Sequence, residues 1–186
     1  MPIIAVNVAI LKDEQVLLTK RKDFEVWCLP GGEVKDGESL GQAGSREILE
    51  ELGLHVELER LVGIHTRPQW LSIGSHVVVF SARITGGEIT LQSDEVLEAR
   101  FFHQDELPEE MLLGHRQQIL DALQGVTGAV WRHDSFLDYE PGLTRAKLYQ
   151  LRDQSGLAPA VFYRTMVGKA IPGGDLLEVQ GKVDVY

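Results

Sequence analysis

The sequence predicts an α/β domain followed by a C-terminal extension. Short apolar, β-rich runs separated by polar or glycine turns recur as far as Arg100-Phe101-Phe102-His103. Among them lie two stretches of helical spacing, residues 40–52 and 115–123. At 44% hydrophobic and 25% charged residues, the composition is that of a folded globular chain. Its 186 residues suffice for one ordinary domain and an addition.

Residues 3–11 are apolar and form the expected first strand, Lys12-Asp13-Glu14-Gln15 a polar turn, and residues 16–19 the second strand. Residues 26–29 are a short strand leading into Leu29-Pro30-Gly31-Gly32, a rigid turn. Its paired glycines let backbone approach a ligand without steric cost. Ser39 is placed to cap a helix in which Leu40, Gly44, Ile48 and Leu52 form the inward stripe, and Gly53 ends it. Residues 56–64 and 76–84 read as strands, the second mostly apolar and therefore buried. Gly86-Gly87 reads as a hairpin turn with residues 88–91 returning, and residues 115–123 as the second helix.

The first helix carries an unusual set of acids. Residues three and four apart share a helix face, so Glu47, Glu50 and Glu51 project together. Carboxylates so placed raise one another's pKa unless a cation joins them. Oxygen ligands of this kind suit Mg²⁺ or Mn²⁺. Arg46 lies one turn before Glu50 and is placed to pair with it.

Residues 32–54 read GEVKDGESLGQAGSREILEELGL. Gly32, Glu38, Arg46, Glu47, Ile48, Glu50, Glu51, Gly53 and Leu54 occupy every fixed position of the Nudix box, and on these residues the chain resembles a Nudix hydrolase. The resemblance implies an α/β/α sandwich with a mixed sheet. It also implies a metal-dependent pyrophosphohydrolase that cuts the diphosphate of a nucleoside diphosphate linked to another group. Carried over residue by residue, it makes Glu47, Glu50 and Glu51 metal ligands, with a backbone carbonyl from Gly31. Glu38 and Arg46 become supports that orient the cluster. The general base comes from the box or from a later glutamate, and the later loop resembles the one that carries an extra metal ligand or the base, for which Glu95 is favoured and Glu98 is second. Arg21, within Lys20-Arg21-Lys22, is a candidate phosphate contact at the site mouth. Pro68, 15 residues beyond Gly53, resembles the ADP-ribose-cleaving members, and Arg67 and Trp70 beside it are candidate substrate contacts.

Net charge narrows the partners. At −10 the chain repels long nucleic acid unless it carries a basic patch, so a small metal-bound nucleotide is the expected substrate. No apolar stretch reaches the roughly 18 residues of a membrane span, and no signal peptide is read at the start. The single Cys28 reads as a buried thiol, and a reducing cytoplasm is the expected compartment. The six histidines show no zinc-ligand spacing.

Two alternatives to the leaning toward ADP-ribose or a nucleoside diphosphate sugar stay open. One is a nucleoside triphosphate pyrophosphohydrolase of housecleaning type, the other a non-catalytic nucleotide-binding module on the same fold. The division expected is residues 1–125 for the hydrolase domain and 126–186 for an extension that packs, dimerises or forms a lid. In the extension Trp131, Phe136 and Tyr139 are aromatic, Pro141-Gly142 is a turn and Thr144 caps a short helix through Leu151. Residues 160–167 read as a strand, 171–174 as a turn and 177–186 as alternating. Arg145, Lys147, Arg152 and Arg164 reach phosphates if the extension is a lid, and a homodimer is expected.

Overall fold

The computed structural model describes residues 1–91, 94–135, 143–168 and 170–183. Phe136, Tyr139, Pro141-Gly142 and residues 184–186, singled out above, lie outside them. Strand β1 (Ile3–Lys12) is central. On one side it pairs in parallel with β6 (Ser75–Gly87), which pairs antiparallel with β5 (Leu54–Arg67). Its other edge is shared. The start of β1 takes β4 (Gly31–Glu33), and its end takes β2 (Gln15–Arg21) through a hairpin at Asp13-Glu14. Strands β3 (Trp27–Cys28) and β7 (Val96–His103) flank β2.

Alternation along β1 builds a core on each face. Val6, Val8 and Ile10 point at helix α1 (Leu40–Leu52), where Ala43, Ile48 and Leu52 meet them. Ala9 points the other way, toward Ile119 and Ala122 of α2 (His115–Leu123). The result is the expected α/β/α sandwich around a mixed sheet. Helix α1 opens on a capping box between Ser39 and Gln42 and closes at Gly53 in the left-handed region. Leu40 departs from the inward stripe. As the first helical residue it overhangs the core and is exposed.

The sheet continues past α2. Strand β8 (Val126–Thr127) stands apart from it, pairing with β11 (Lys182–Val183) in a separate two-stranded sheet. Strand β9 (Ala129–Ser135) joins β5 in parallel, and β10 (Ala170–Val179) pairs with β9 as the outermost strand. Between β9 and β10 the chain makes α3 (Arg145–Gln154), capped by Thr144, then α4 (Pro159–Phe162) and a π turn over Tyr163–Val167. These pack through Leu143, Leu148, Phe162, Tyr163 and Val167 on Phe24, Val26 and Leu71, forming a third apolar cluster.

Three expected elements differ. Gly86 and Gly87 are not a turn, because β6 runs through them opposite His55 and Leu54. A Cβ on Gly87 would lie 2.3 Å from the Gly53 carbonyl oxygen, so the glycine permits close approach. Residues 88–91 then make no strand, and the Thr90 amide donates to the Leu52 carbonyl instead. Residues 160–167 are helical. Pro159 starts the turn, and burying Phe162, Tyr163 and Val167 on one side overrides their β preference. Residues 171–174 lie within β10, where a register shift between Ala170 and Asp175 absorbs the Pro-Gly-Gly segment.

Candidate active site

Helix α1 carries two faces at once. While Ile48 and Leu52 enter the core, Glu47, Glu50 and Glu51 line a cavity of about 440 Å³. Arg46 holds the acids in place. Its Nε and Nη2 donate to the two Glu38 oxygens at 2.5 and 2.9 Å, and its Nη1 donates to Glu47 at 2.6 Å and Glu50 at 2.9 Å. Hydrogen bonds from Arg46 hold Glu38 ionised, with its pKa near 2. Lys35 adds an ion pair to Glu50 at 3.5 Å.

Glu51 is different. It makes no ion pair with Arg46, and one of its carboxylate oxygens is buried without a hydrogen-bond partner. Burial pushes its pKa up to about 8, and Glu47 and then Glu95 push in the same direction. The Gly31 amide, a hydrogen bond to Glu51, opposes this. Gly31 and Gly32 sit in β4, antiparallel to β1, where Asn7 faces Gly31. A Cβ on Gly32 would fall 2.5 Å from the Glu47 carboxyl carbon, so only glycine leaves that carboxylate its place.

The later glutamates separate cleanly. Glu95 lines the cavity and faces Glu51, whereas Glu98 is exposed on β7 opposite Lys20 and does not line it. Arg21 lines the cavity with its charge already met by Asp23, in a two-pronged contact of 2.9 and 2.5 Å. Arg67 and Trp70 line it too, the guanidinium 5.5 Å from the indole centroid. Among the described residues Arg67 has no hydrogen bond or ion pair, and burial holds its pKa below the ordinary arginine value. Register sets the length of the site. Gly31 lies opposite Asn7 on β1, while Arg67 lies opposite Ser75, itself opposite Ile3. From β4 across β1 and β6 to β5 is three strand spacings, roughly 14 Å.

Several lining residues had no sequence signal because folding alone brings them close. His115, at the start of α2, accepts the Leu29 amide on Nδ1 at 3.0 Å and so steadies the segment entering Gly31. Burial holds it neutral. Asp23 joins Arg21 to the Tyr149 hydroxyl, which donates to it at 3.0 Å. Tyr163 accepts the Leu113 amide at 2.8 Å. Of the four basic residues flagged in the extension, only Arg145 lines the cavity. Arg152 donates to the Asp23 carbonyl, Arg164 pairs with Glu110 at 3.8 Å, and Lys147 is exposed. His65 and His133, distant in sequence, stack with Nδ1 and Nε2 2.8 Å apart, and His133 continues to Asp175 at 3.0 Å.

A mixed sheet between helices carries a cluster of acids that opens on a cavity large enough for a small ligand. The family model described as NUDIX domain matches residues 1–123, and the chain belongs to the Nudix family. It is a hydrolase acting on pyrophosphate bonds. An ADP-ribose pyrophosphatase of Methanocaldococcus jannaschii is 36% identical over 132 residues, 68% of this chain and 76% of that protein. A Bacillus subtilis protein provisionally named an 8-oxo-dGTP diphosphatase is 37% identical over 114 residues, 61% of this chain and 74% of its own. The crystal structure of an ADP-ribose pyrophosphatase from Streptococcus suis superposes with a TM-score of 0.57 at 30% identity, covering 66% of this chain and 90% of that one. No helix among the described residues is long and apolar enough to cross a membrane.

Nudix hydrolases generally use divalent metal ions. Among the described residues no three acid, histidine or cysteine side chains already form a metal-ligating group, and Arg46 engages Glu47 and Glu50. The donor chemistry nevertheless fits a hard cation. Glu51 keeps an unpartnered buried oxygen beside Glu47 and Glu95, and a cation there relieves the repulsion that raises its pKa.

Proposed function

We propose that the protein is a Mg²⁺-dependent pyrophosphohydrolase that cleaves the diphosphate of a nucleoside diphosphate linked to another moiety, with ADP-ribose or a nucleoside diphosphate sugar preferred. One observation carries the reading: the box acids and the Arg67–Trp70 pair line the same cavity, in which Arg67 on β5 lies three strands from the box glycine Gly32 on β4. A diphosphate flanked by two bulky groups suits that span. The named activities of the M. jannaschii and S. suis relatives favour ADP-ribose. The B. subtilis relative supports a second reading, hydrolysis of a nucleoside triphosphate.

In this reading Glu47, Glu50 and Glu51, with the Gly31 carbonyl, hold the metal. Bound there, it supplies charge withdrawal from phosphorus and a lowered pKa for water. Arg46 and Glu38 fix the acids before substrate arrives, a restraint of the kind that contributes about 10- to 100-fold to metal affinity or activity. Glu95 takes a proton from the attacking water, a role that contributes about 10²- to 10⁴-fold. Arg67 and Trp70 orient the group remote from the metal, the guanidinium by donation and the indole by stacking. Arg21 contributes positive potential from behind its Asp23 partner.

The reading also takes residues 1–125 as the hydrolase domain, with the remainder as an extension to it. It places the protein in a reducing cytoplasm, which suits the free buried thiol of Cys28. It includes a homodimer, which the exposed Leu176, Leu177 and Val179 on the outermost strand support. The test is incubation with Mg²⁺ and ADP-ribose, nucleoside diphosphate sugars, dinucleoside polyphosphates, NADH or nucleoside triphosphates, with products separated by chromatography. Release of AMP from ADP-ribose at the highest kcat/KM is expected. Cleavage of triphosphates alone overturns the substrate assignment, and no cleavage with Mg²⁺ or Mn²⁺ overturns the reaction. Light scattering tests the dimer.

A further inference from the structure

Helix α3 belongs to the chain beyond the family match, yet it forms part of the cavity. Arg145, Leu148 and Tyr149 stand three and four residues apart, so they share one helix face. All three line the cavity together with the box acids. The face is held rigidly. Leu148 is buried in the third apolar cluster, and the Tyr149 hydroxyl donates to Asp23. Arg152 donates to the Asp23 carbonyl at 2.6 Å and lies over the Tyr149 ring at 5.0 Å.

The cavity has four cationic side chains. Arg21 is held by Asp23 and Lys35 by Glu50, while Arg67 lies three strands away from β4. Arg145 alone is paired with a box residue that is none of its fixed positions. Its guanidinium meets Glu33, next to Gly32, at 2.7 Å, and both side chains are about half exposed, at 51% and 52%. An ion pair this exposed contributes little to stability, so Arg145 exchanges it readily for a stronger anion. A diphosphate offers that anion, and a guanidinium meets it with parallel hydrogen bonds.

We propose that this face of α3 is the substrate-selecting wall of the site. Arg145 leaves Glu33 to bind a phosphate of a nucleoside diphosphate, and Tyr149, one turn on, bounds the nucleoside. The inference rests on the function proposed above and assigns the diphosphate a protein cation as well as the metal. Glu33 is then a competitor for Arg145, not a partner in binding.

That competition gives an asymmetric test. Affinity for ADP with Mg²⁺ is measured by calorimetry, and KM and kcat are measured on the best substrate, for the full-length protein, Arg145→Gln, Arg145→Lys and Glu33→Gln. Arg145→Gln is expected to weaken ADP binding and raise KM about tenfold with kcat little changed, the pattern of lost binding common to ground and transition states. Arg145→Lys recovers part of the loss. Glu33→Gln binds as tightly as wild type or tighter. Equal weakening by Glu33→Gln and Arg145→Gln means a structural latch only and overturns the proposal. So does unchanged binding in Arg145→Gln, or no binding of ADP by wild type. Arg145-dependent ADP binding without hydrolysis of any substrate removes the proposed reaction and leaves the wall standing.

Discussion

Replacing Glu51 by glutamine separates the price of the site from its use. In the metal-free protein the Glu51 carboxyl is pushed from 4.5 to about 8, by burial first and by Glu47 next. The folded state therefore holds this proton more tightly than the unfolded chain does. The resulting stability is fully present below about pH 4.5 and is lost as pH rises through 8. At about 1.4 kcal/mol for each tenfold change, ionising Glu51 costs on the order of 5 kcal/mol by pH 9. Glutamine keeps the shape without the charge. Thermal melts in chelator at pH 5 and pH 9 measure the difference. The two proteins should melt within a few degrees of each other at pH 5. At pH 9 the wild type should melt lower by roughly 10 °C, taking about 2–4 °C per kcal/mol for a chain of this size. Mg²⁺ should raise the wild-type melt and leave the variant unmoved, while the variant loses metal-dependent turnover. A melting difference that is the same at both pH values would refute the electrostatic account of Glu51, and near-normal turnover would remove it from the site.

Four further substitutions or reactions probe other parts of the structure. Gly32→Ala places a Cβ 2.5 Å from the Glu47 carboxyl carbon and should cut kcat/KM about 10²-fold while circular dichroism stays native. Arg46→Lys keeps the charge but loses the fork that joins Glu38, Glu47 and Glu50, and should lower metal affinity about 10- to 100-fold by titration. Leu148→Ala removes a side chain only 1% exposed and should cost about 2–5 kcal/mol in urea unfolding. Cys28, 4% exposed with its thiol pushed up to about 11, should react with an aromatic disulfide reagent at pH 8 only on unfolding.

The readable parts of the sequence were those whose cause is local. The cap at Ser39, the terminating Gly53 and the four-residue spacing of Gly44, Ile48 and Leu52 specify the thirteen residues of α1. The box acids follow from the same spacing. Contacts made by sheet order left no such trace. His115 reaches Leu29 across 86 residues, and Tyr149 reaches Asp23 across 126. The paired histidines 65 and 133 sit on β5 and β9, neighbours only because β9 joins the sheet in parallel. Where local preference misled, as at residues 160–167, burial of Phe162, Tyr163 and Val167 against Phe24 decided the outcome.

The position of α3 and α4 between β9 and β10 has an evolutionary corollary. The chain leaves β9 at Ser135 and rejoins the sheet at Ala170, its cross-strand partner, so the two anchor points lie about 5 Å apart. An excursion with ends that close can lengthen, shorten or be exchanged at small entropic cost, since closure varies only with the logarithm of length. The acids sit elsewhere, on α1, and take no part in that closure. With α3 as the proposed wall, selectivity can drift by swapping a cassette at the sheet's rim while the acids of α1 stay as they are.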